Sequence, residues 1–385
     1  MVFQVLKYWI SFFVPAFYKK IQVRNMHLLR QHGPVIIAMN HPNAFTDPIL
    51  ITLEALPQRV NYMARGDAFK PGFIAWALQS IGIVPIFRIQ DGGKEGLKKN
   101  EDAYRRVNYL LRHNQKVIVF AEGLCIQERR LRPLKKGVAR MVFGGYEHLN
   151  NDELKVLPVG VNYSQPGEIG STVFYNIGEP MLVKDFIPEY KQNPAKAYNR
   201  LLQSLEPKMK ELITHINDPA NDQAVLWAET LLKRKIMREK AMNESDLYQD
   251  FLALTEITEK INEAGRQKNP FLGLFKEKAK SYFNTLEKTK LKDWVFDPLD
   301  SYKKQPLYLL SRILVVILMT PFAVAGLMVH ILPFLMTGAI TRKIVRYVEF
   351  YSSFFIGIAW WCSFYFTSCI LLFSISISMF FYFRS

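Results

Sequence analysis

A histidine and a carboxylate stand close together where the first strongly apolar run of the chain ends. His41 and Asp47 belong to residues 40–48, which read Asn-His-Pro-Asn-Ala-Phe-Thr-Asp-Pro. On one strand-to-helix turn the two side chains can meet, and the carboxylate would then fix the imidazole tautomer and stabilise its protonated form. The pair is a candidate general base. No serine or cysteine nucleophile stands beside it, so the base would activate a hydroxyl group of a substrate. The alternative is a structural histidine that caps a helix or binds a backbone carbonyl.

Three later apolar runs also end in, or contain, residues suited to ligand binding. Residues 82–88, Gly-Ile-Val-Pro-Ile-Phe-Arg, end in Arg88, whose guanidinium suits a phosphate, although an isolated arginine can equally be a surface ion-pair partner. Glu122 and Gly123 follow the run 117–121, and glycine lets a polar ligand approach the backbone closely. Pro158 lies in the apolar run 156–161, which is typical of a core strand.

Residues 129–137, Arg-Arg-Leu-Arg-Pro-Leu-Lys-Lys-Gly, form a basic run. Such a run suits either a nucleic acid or the anionic surface of a membrane. Because the end of the chain is strongly apolar, we predict membrane lipids as partners and no nucleic acid.

Short β-branched runs alternate with helical patterns around these residues, which predicts an α/β domain over residues 25–180. Its sheet should be largely parallel and flanked by helices, with the site on loops at the strand ends. Strands are predicted at 34–39, 60–64, 83–87, 117–121, 156–162 and 173–177, and helices at 100–113 and 137–149. Residues 181–305 predict a charged helical extension with helices at 195–216, 222–242, 246–265 and 276–289.

The tail, residues 306–385, carries +4 of the net charge of +16, and the rest of the chain carries +12. Its apolar runs 313–340 and 351–383 predict a membrane-embedded tail with C-terminal transmembrane helices. The number of crossings stays open. The basic residues flanking both runs favour hairpins with every charged end in the cytoplasm.

Residues 1–24 are rich in aromatic side chains, and Lys19 and Lys20 follow the apolar stretch. This order of charge is the reverse of a signal peptide and predicts an interfacial membrane helix. A buried helix of the α/β domain is the alternative.

Three cysteines and seven scattered histidines give neither a disulfide framework nor a metal-ligand spacing. We therefore expect no metal and no cofactor.

The ordered set Asn-His-Pro-Asn-Ala-Phe-Thr-Asp, Gly-Ile-Val-Pro-Ile-Phe-Arg, Phe-Ala-Glu-Gly and Leu-Pro-Val-Gly-Val resembles the four sequence blocks of the glycerolipid acyltransferases. That family includes the glycerol-3-phosphate and 1-acylglycerol-3-phosphate (lysophospholipid) acyltransferases, and the resemblance covers roughly residues 25–180. It implies an α/β fold with the site in a cleft near the membrane.

The resemblance also implies a role for each matching residue. His41 would be the general base and Asp47 the residue that holds it. The second block would bind the acceptor, with its arginine on the phosphate, through Gly82, Pro85 and Arg88. Glu122 and Gly123 would also belong to the acceptor site, and Pro158 to the side of the acyl donor.

Two departures from the family pattern stand out. Five residues separate His41 from Asp47, where the usual block has four. Ala121 and Leu124 replace the usual proline and threonine around Glu-Gly, so one polar contact to the acceptor is missing. Arg129, Arg130 or Arg132 is a candidate replacement.

The predicted activity is O-acyl transfer from acyl-CoA or acyl-carrier protein to a hydroxyl of glycerol-3-phosphate or 1-acylglycerol-3-phosphate, in phospholipid biosynthesis. The expected location is an integral membrane protein with its catalytic domain on the cytoplasmic face. One alternative is a transacylase or hydrolase that uses the same pair on a lysolipid or aminoacyl-lipid. Another is a non-catalytic membrane protein that binds anionic lipid.

Overall fold

The structure is a computed structural model that describes residues 11, 14–15, 17–55, 57, 60–66, 82–87, 89–149, 151–293, 306–359, 361–362 and 365–366. The chain divides into two compact units, Met1–Gln267 and Lys268–Ser385. The predicted boundary between extension and tail, at 305/306, stays a prediction. All the motif residues lie in the first unit.

The first unit is built on a sheet of eight strands. The strands are β1 Tyr18–Arg24, β2 Val35–Met39, β3 Val60–Arg65, β4 Ile83–Ile86, β5 Lys116–Phe120, β6 Lys155–Tyr163, β7 Ser171–Ile177 and β8 Met181–Leu182. Every residue of β2 is buried. This explains why the central strands are continuous apolar runs, because helices cover both faces of such a strand.

Seven strands lie in the order β1-β7-β6-β2-β5-β3-β4, and β8 pairs with β6. The five strands from β6 to β4 are mutually parallel, whereas β7 and β8 run antiparallel to β6. The sheet is therefore mixed, with the predicted parallel arrangement at its centre. In register, Met39 of β2 pairs with Phe120 of β5. His41 and Glu122 each follow two residues later, so the first and third blocks meet at the carboxyl ends of the parallel strands.

Helices connect and cover the strands. In the first unit they are, in chain order, α1 Met26–Arg30, α2 Thr46–Glu54, α3 Ile89–Arg112, α4 Lys136–Leu149, α5 Ile187–Gln192, α6 Pro194–Lys210, α7 Asp222–Glu239 and α8 Leu247–Arg266. The second unit contains α9 Pro270–Thr289 and α10 Pro306–Ile344. The core includes residues of β2, β5 and β6 together with α3, α4 and α6. The four helices predicted in the charged extension correspond to α6, α7, α8 and α9.

Gly160 marks a close approach between β6 and the segment that follows α6. A Cβ atom added there would lie 2.3 Å from the backbone oxygen of Leu212. Gly160→Ala is therefore expected to lower the free energy of unfolding by about 1–3 kcal/mol, the usual cost of overpacking. Gly144→Ala is the matched control, since its Cβ would meet nothing within 4 Å in α4, and alanine there should stabilise the helix. Urea unfolding of both variants checks the opposite signs; equal midpoints would contradict the close approach.

The prediction of C-terminal transmembrane helices is wrong for the part of the chain that the structure describes. None of the helices in that part has the length and apolarity needed to cross a membrane. The prediction relied on the apolar composition of residues 313–340 and 351–383. Apolar composition alone does not establish a helix that can cross a membrane. Residues 360, 363–364 and 367–385, which include the end of the second run, lie outside the described residues.

The N-terminal segment differs in part from the interfacial helix expected over residues 1–24. Residues 18–24 form β1, which pairs in parallel with β7 at the edge of the sheet. Phe17 and Tyr18 are buried, but residues 18–24 form a strand and not the buried helix of the alternative. Residues 1–10 lie outside the described residues.

Candidate active site

The turn between β2 and α2 brings His41 and Asp47 into direct contact. Asp47 is the second residue of α2 and is fully buried. Its Oδ2 atom lies 2.8 Å from Nδ1 of His41. Ala44, at φ +21°, gives the turn an unusual backbone conformation between the two. The five-residue separation thus permits the His–Asp contact that the first block requires.

Three donors hold the carboxylate of Asp47. Besides His41, the backbone N–H of Asn43 donates to Oδ2 at 2.8 Å, and the hydroxyl of Tyr163 donates to Oδ1 at 2.6 Å. The hydroxyl of Tyr175 donates to the backbone oxygen of Asp47 at 2.7 Å. Burial and, next, the charge of Asp47 raise the pKa values of Tyr163 and Tyr175. Both phenols therefore keep their protons and act as donors, and such bonds stabilise a buried carboxylate in its charged form.

The imidazole of His41 is positioned on two sides. Its ring stacks on Phe120 at 3.5 Å between centroids and 13° between planes. With Nδ1 donating to the carboxylate, Nε2 is the nitrogen that can accept a proton. The side chain keeps 15% exposure, so the ring can be reached from outside. A buried carboxylate, an oriented imidazole and a free Nε2 are the features of a general base.

Glu122 joins this turn to the loop that follows β5. It is buried, and its Oε2 accepts a hydrogen bond from the backbone N–H of Arg132 at 2.9 Å. Burial raises the pKa of Glu122, while backbone hydrogen bonds from Arg132 and His41 lower it. Gly123, at φ +66°, lies against the side chain of Lys135, which a Cβ atom at position 123 would approach to 3.2 Å. Glu122 therefore borders His41.

The three arginines considered for the acceptor contact have acidic partners. Arg129 pairs with Glu229 at 2.6 Å, Arg130 pairs with Asp222, and Arg132 pairs with Glu128 at 2.7 Å. These pairs engage the guanidinium groups in holding the loop, which argues against their role as replacements for the missing polar contact.

The remaining candidate residues are spread along the sheet. Pro158 is buried in β6 beside Ala38 of β2, three residues before His41. Pro85 lies in the edge strand β4. Gly82, at φ +91°, precedes β4 and so lies at the opposite end of the parallel strands from His41. Arg88 lies outside the described residues.

Sequence reasoning missed the residues that support the pair. Tyr163 ends β6, which continues four residues beyond the position paired with Met39, and the predicted strand stopped at residue 162. Asn40 holds the start of the turn, because its amide exchanges two hydrogen bonds with the backbone of Val161 at 2.8 and 3.0 Å. The sequence signal for Asn40 is a polar residue at the end of an apolar run. Its partner Val161 lies on another strand and cannot be identified from the local sequence.

Tyr163→Phe tests the support of Asp47. The variant removes the donor to Oδ1 and leaves a buried, charged acceptor without it, so the free energy of unfolding should fall by about 1.5–3 kcal/mol. Tyr146→Phe is the control, because Tyr146 makes a similar bond to Asp152 at 2.8 Å on the surface. A hydrogen bond there adds little to the free energy of unfolding. Chemical denaturation of both variants measures the difference. Equal losses would mean that Tyr163 does not stabilise the buried carboxylate.

Residues 20–162 match the family model described as Acyltransferase. Glycerol-3-phosphate O-acyltransferase 1 of Saccharomyces cerevisiae is 22% identical, over 58% of this chain and 40% of that protein. The 1-acyl-sn-glycerol-3-phosphate acyltransferase BAT2, chloroplastic, of Brassica napus is 28% identical, over 34% of this chain and 36% of that protein. The crystal structure of the 1-acyl-sn-glycerophosphate acyltransferase PlsC from Thermotoga maritima aligns with a TM-score of 0.37 and 17% identity, over 54% of this chain and 80% of that one.

These matches confirm the resemblance to the glycerolipid acyltransferases over residues 20–162. All four blocks begin inside that range. The chain spans less than half the length of these two curated relatives.

Proposed function

We propose that this protein, whose residues 20–162 match the Acyltransferase family model, transfers an acyl group from acyl-CoA or acyl-carrier protein to a hydroxyl of glycerol-3-phosphate or 1-acylglycerol-3-phosphate. The observation that carries the proposal is the contact of 2.8 Å between His41 and the fully buried Asp47. Such a pair supplies a base for a hydroxyl group that belongs to the substrate and not to the protein.

The reaction follows from this geometry. Nε2 of His41 removes the proton from the acceptor hydroxyl as its oxygen attacks the carbonyl carbon of the thioester. The new C–O bond forms, the C–S bond breaks, and the departing thiolate takes the proton back from the imidazolium. Asp47 stabilises the positive charge that His41 carries between these steps. General-base assistance contributes about 10²–10⁴ in rate.

The choice of acceptor is supported by charge and by the names of the relatives. Residues 1–305 carry a net charge of +12, which attracts phosphorylated acceptors and the anionic donors alike. The relatives in yeast and Brassica napus are named for glycerol-3-phosphate and 1-acyl-sn-glycerol-3-phosphate. In this proposal Gly82, Pro85 and Arg88 of the second block contribute to acceptor binding, and Pro158 to the donor side.

We further propose that the acyltransferase domain works on the cytoplasmic face of a membrane, where the lipid acceptor or product resides. Its basic surface would be attracted to anionic headgroups, at about 1 kcal/mol per basic side chain near the surface. Sedimentation of the full chain with anionic and with zwitterionic vesicles, at low and high salt, tests this location. Binding that depends neither on the charge of the lipid nor on the salt concentration would contradict this location.

Thioester consumption by the full-length protein tests the activity. Acyl-CoA is supplied alone, with glycerol-3-phosphate, or with 1-acylglycerol-3-phosphate, and the lipid products are identified by mass spectrometry. We expect release of free thiol that depends on an acceptor and matches the acylated product. Thiol release without an acceptor would favour a hydrolase. Absence of turnover together with vesicle binding would favour a non-catalytic lipid-binding protein.

A further inference from the structure

The loop between β5 and α4 is held from two sides, and one side lies outside the acyltransferase domain. Towards the catalytic turn, the backbone N–H of Ile126 donates to the oxygen of His41 at 3.0 Å, and the N–H of Ala44 donates to Sγ of Cys125 at 3.0 Å. Glu122 closes this side by accepting backbone bonds from both His41 and Arg132. The position of Arg132 therefore bears directly on Glu122 and on the backbone of His41.

On its other side the loop is bound by residues 215–229. The backbone N–H of Leu131 donates to Nδ1 of His215 at 2.9 Å, and the N–H of Ile216 donates to the oxygen of Arg129 at 2.8 Å. We call residues 129–132 the arginine strap. Ion pairs reinforce it, from Arg129 to Glu229 and from Arg130 to Asp222 of α7.

The Arg129–Glu229 pair and the side chain of Arg130 are largely shielded from water, whereas Asp222 is 45% exposed. The side chains of Arg129 and Glu229 are 21% and 15% exposed, and that of Arg130 is 11% exposed. Burial, together with the charges of Lys210 and Arg130, lowers the pKa of His215 to about 4. His215 is thus neutral near pH 7, and its Nδ1 is free to accept the bond from Leu131.

We infer that His215, Asp222 and Glu229 are positioning residues that fix the arginine strap and, through the Arg132–Glu122 bond, the site around His41. All three lie beyond residue 162, where the match to the acyltransferase family ends. The helical extension therefore positions residues of the site in addition to packing against the sheet. The inference rests on the proposed function in so far as Glu122 borders the acceptor.

Two substitutions of His215 separate positioning from simple packing. In His215→Asn the amide oxygen stands the same number of bonds from the backbone as Nδ1, so it can still accept from Leu131. In His215→Leu the bulk is kept and the acceptor is lost. For His215→Leu we expect kcat/KM for the acceptor, per folded protein, to fall about tenfold, the range of one lost hydrogen bond, with KM for the donor unchanged. For His215→Asn we expect values near wild type.

Hydrogen exchange of the same full-length variants gives a readout that needs no activity. The amides of the arginine strap should exchange about tenfold faster in His215→Leu, and near the wild-type rate in His215→Asn, because an amide that loses its bond opens more often. Glu229→Gln, which keeps shape but loses charge, should also speed exchange in the strap. Should wild type transfer no acyl group, the proposed function fails, and the exchange rates still decide whether His215 holds the strap.

Unchanged exchange in His215→Leu would overturn the inference. So would faster exchange with an unchanged acceptor kcat/KM, since His215 would then have a purely structural role. Equal effects of His215→Asn and His215→Leu would also overturn it, because only one of the two variants removes the acceptor for Leu131.

Discussion

His41→Ala is expected to lower kcat/KM for acyl transfer at least about a hundredfold, because a general base contributes about 10²–10⁴ in rate. Asp47 is bonded directly to this imidazole, and no other described histidine makes a hydrogen bond or ion pair with a carboxylate. A spare base is therefore absent from the described part of the site. Initial rates of thiol release with a saturating donor and varied acceptor measure the loss.

His148→Ala is the matched control for this experiment. The ring of His148 binds the backbone oxygen of Gly144 within its own helix, at 2.9 Å on the surface, so its loss should leave the rate near wild type. Melting curves of both variants show whether they are folded. If His41→Ala kept more than about a tenth of the wild-type rate, His41 would not be the base, since the smallest expected effect is about a hundredfold.

The central strands were readable from sequence because they are buried on both faces. β2 is predicted at residues 34–39 and lies at 35–39, and β5 is predicted at 117–121 and lies at 116–120. A strand covered by helices must be continuously apolar, and such a run is unusual in a loop. Since parallel strands end at one edge, the meeting of His41 and Glu122 followed from the order of the blocks.

The edge strands were not readable in the same way. β1 carries Lys19, Lys20 and Arg24 among partly exposed positions, so its composition resembles that of a helix at a membrane surface. β8 has two residues, too few for a pattern. The place of β1 depends on its pairing with β7, which lies more than a hundred residues later in the chain, and the place of β8 depends on its pairing with β6.

The supports of the site were hidden for a related reason. Tyr163 and Tyr175 belong to strands that extend past the end of β2 and reach Asp47 from across the sheet. His215 and Glu229 reach the β5–α4 loop from the helical extension. Each contact joins residues far apart in sequence, and its geometry depends on strand register and helix placement. Local motifs identified the candidate pair His41 and Asp47, and the tertiary structure supplies the contacts that hold it.

Asp47→Asn should also lower kcat/KM by about 10²–10⁴, the range of general acid–base catalysis, while keeping the fold. The oxygen of the new amide can take the place of Oδ2 and accept from His41 and Asn43. Its NH₂ group then faces Tyr163, whose hydroxyl can turn to accept a hydrogen bond from it. The ring of His41 would then keep its orientation and lose only the negative charge that stabilises the imidazolium.

Asp152→Asn is the control for this charge, because Asp152 accepts a similar tyrosine bond from Tyr146 on the surface, away from His41. Its rate should equal that of wild type.

Combining Asp47→Asn with Tyr163→Phe sharpens the test. The phenyl ring offers the amide no acceptor, so the double variant should be less stable than either single variant. Steady-state kinetics with melting curves measure both effects. A wild-type rate in a folded Asp47→Asn variant would show that the charge of Asp47 does not assist His41, and the pair would then be structural.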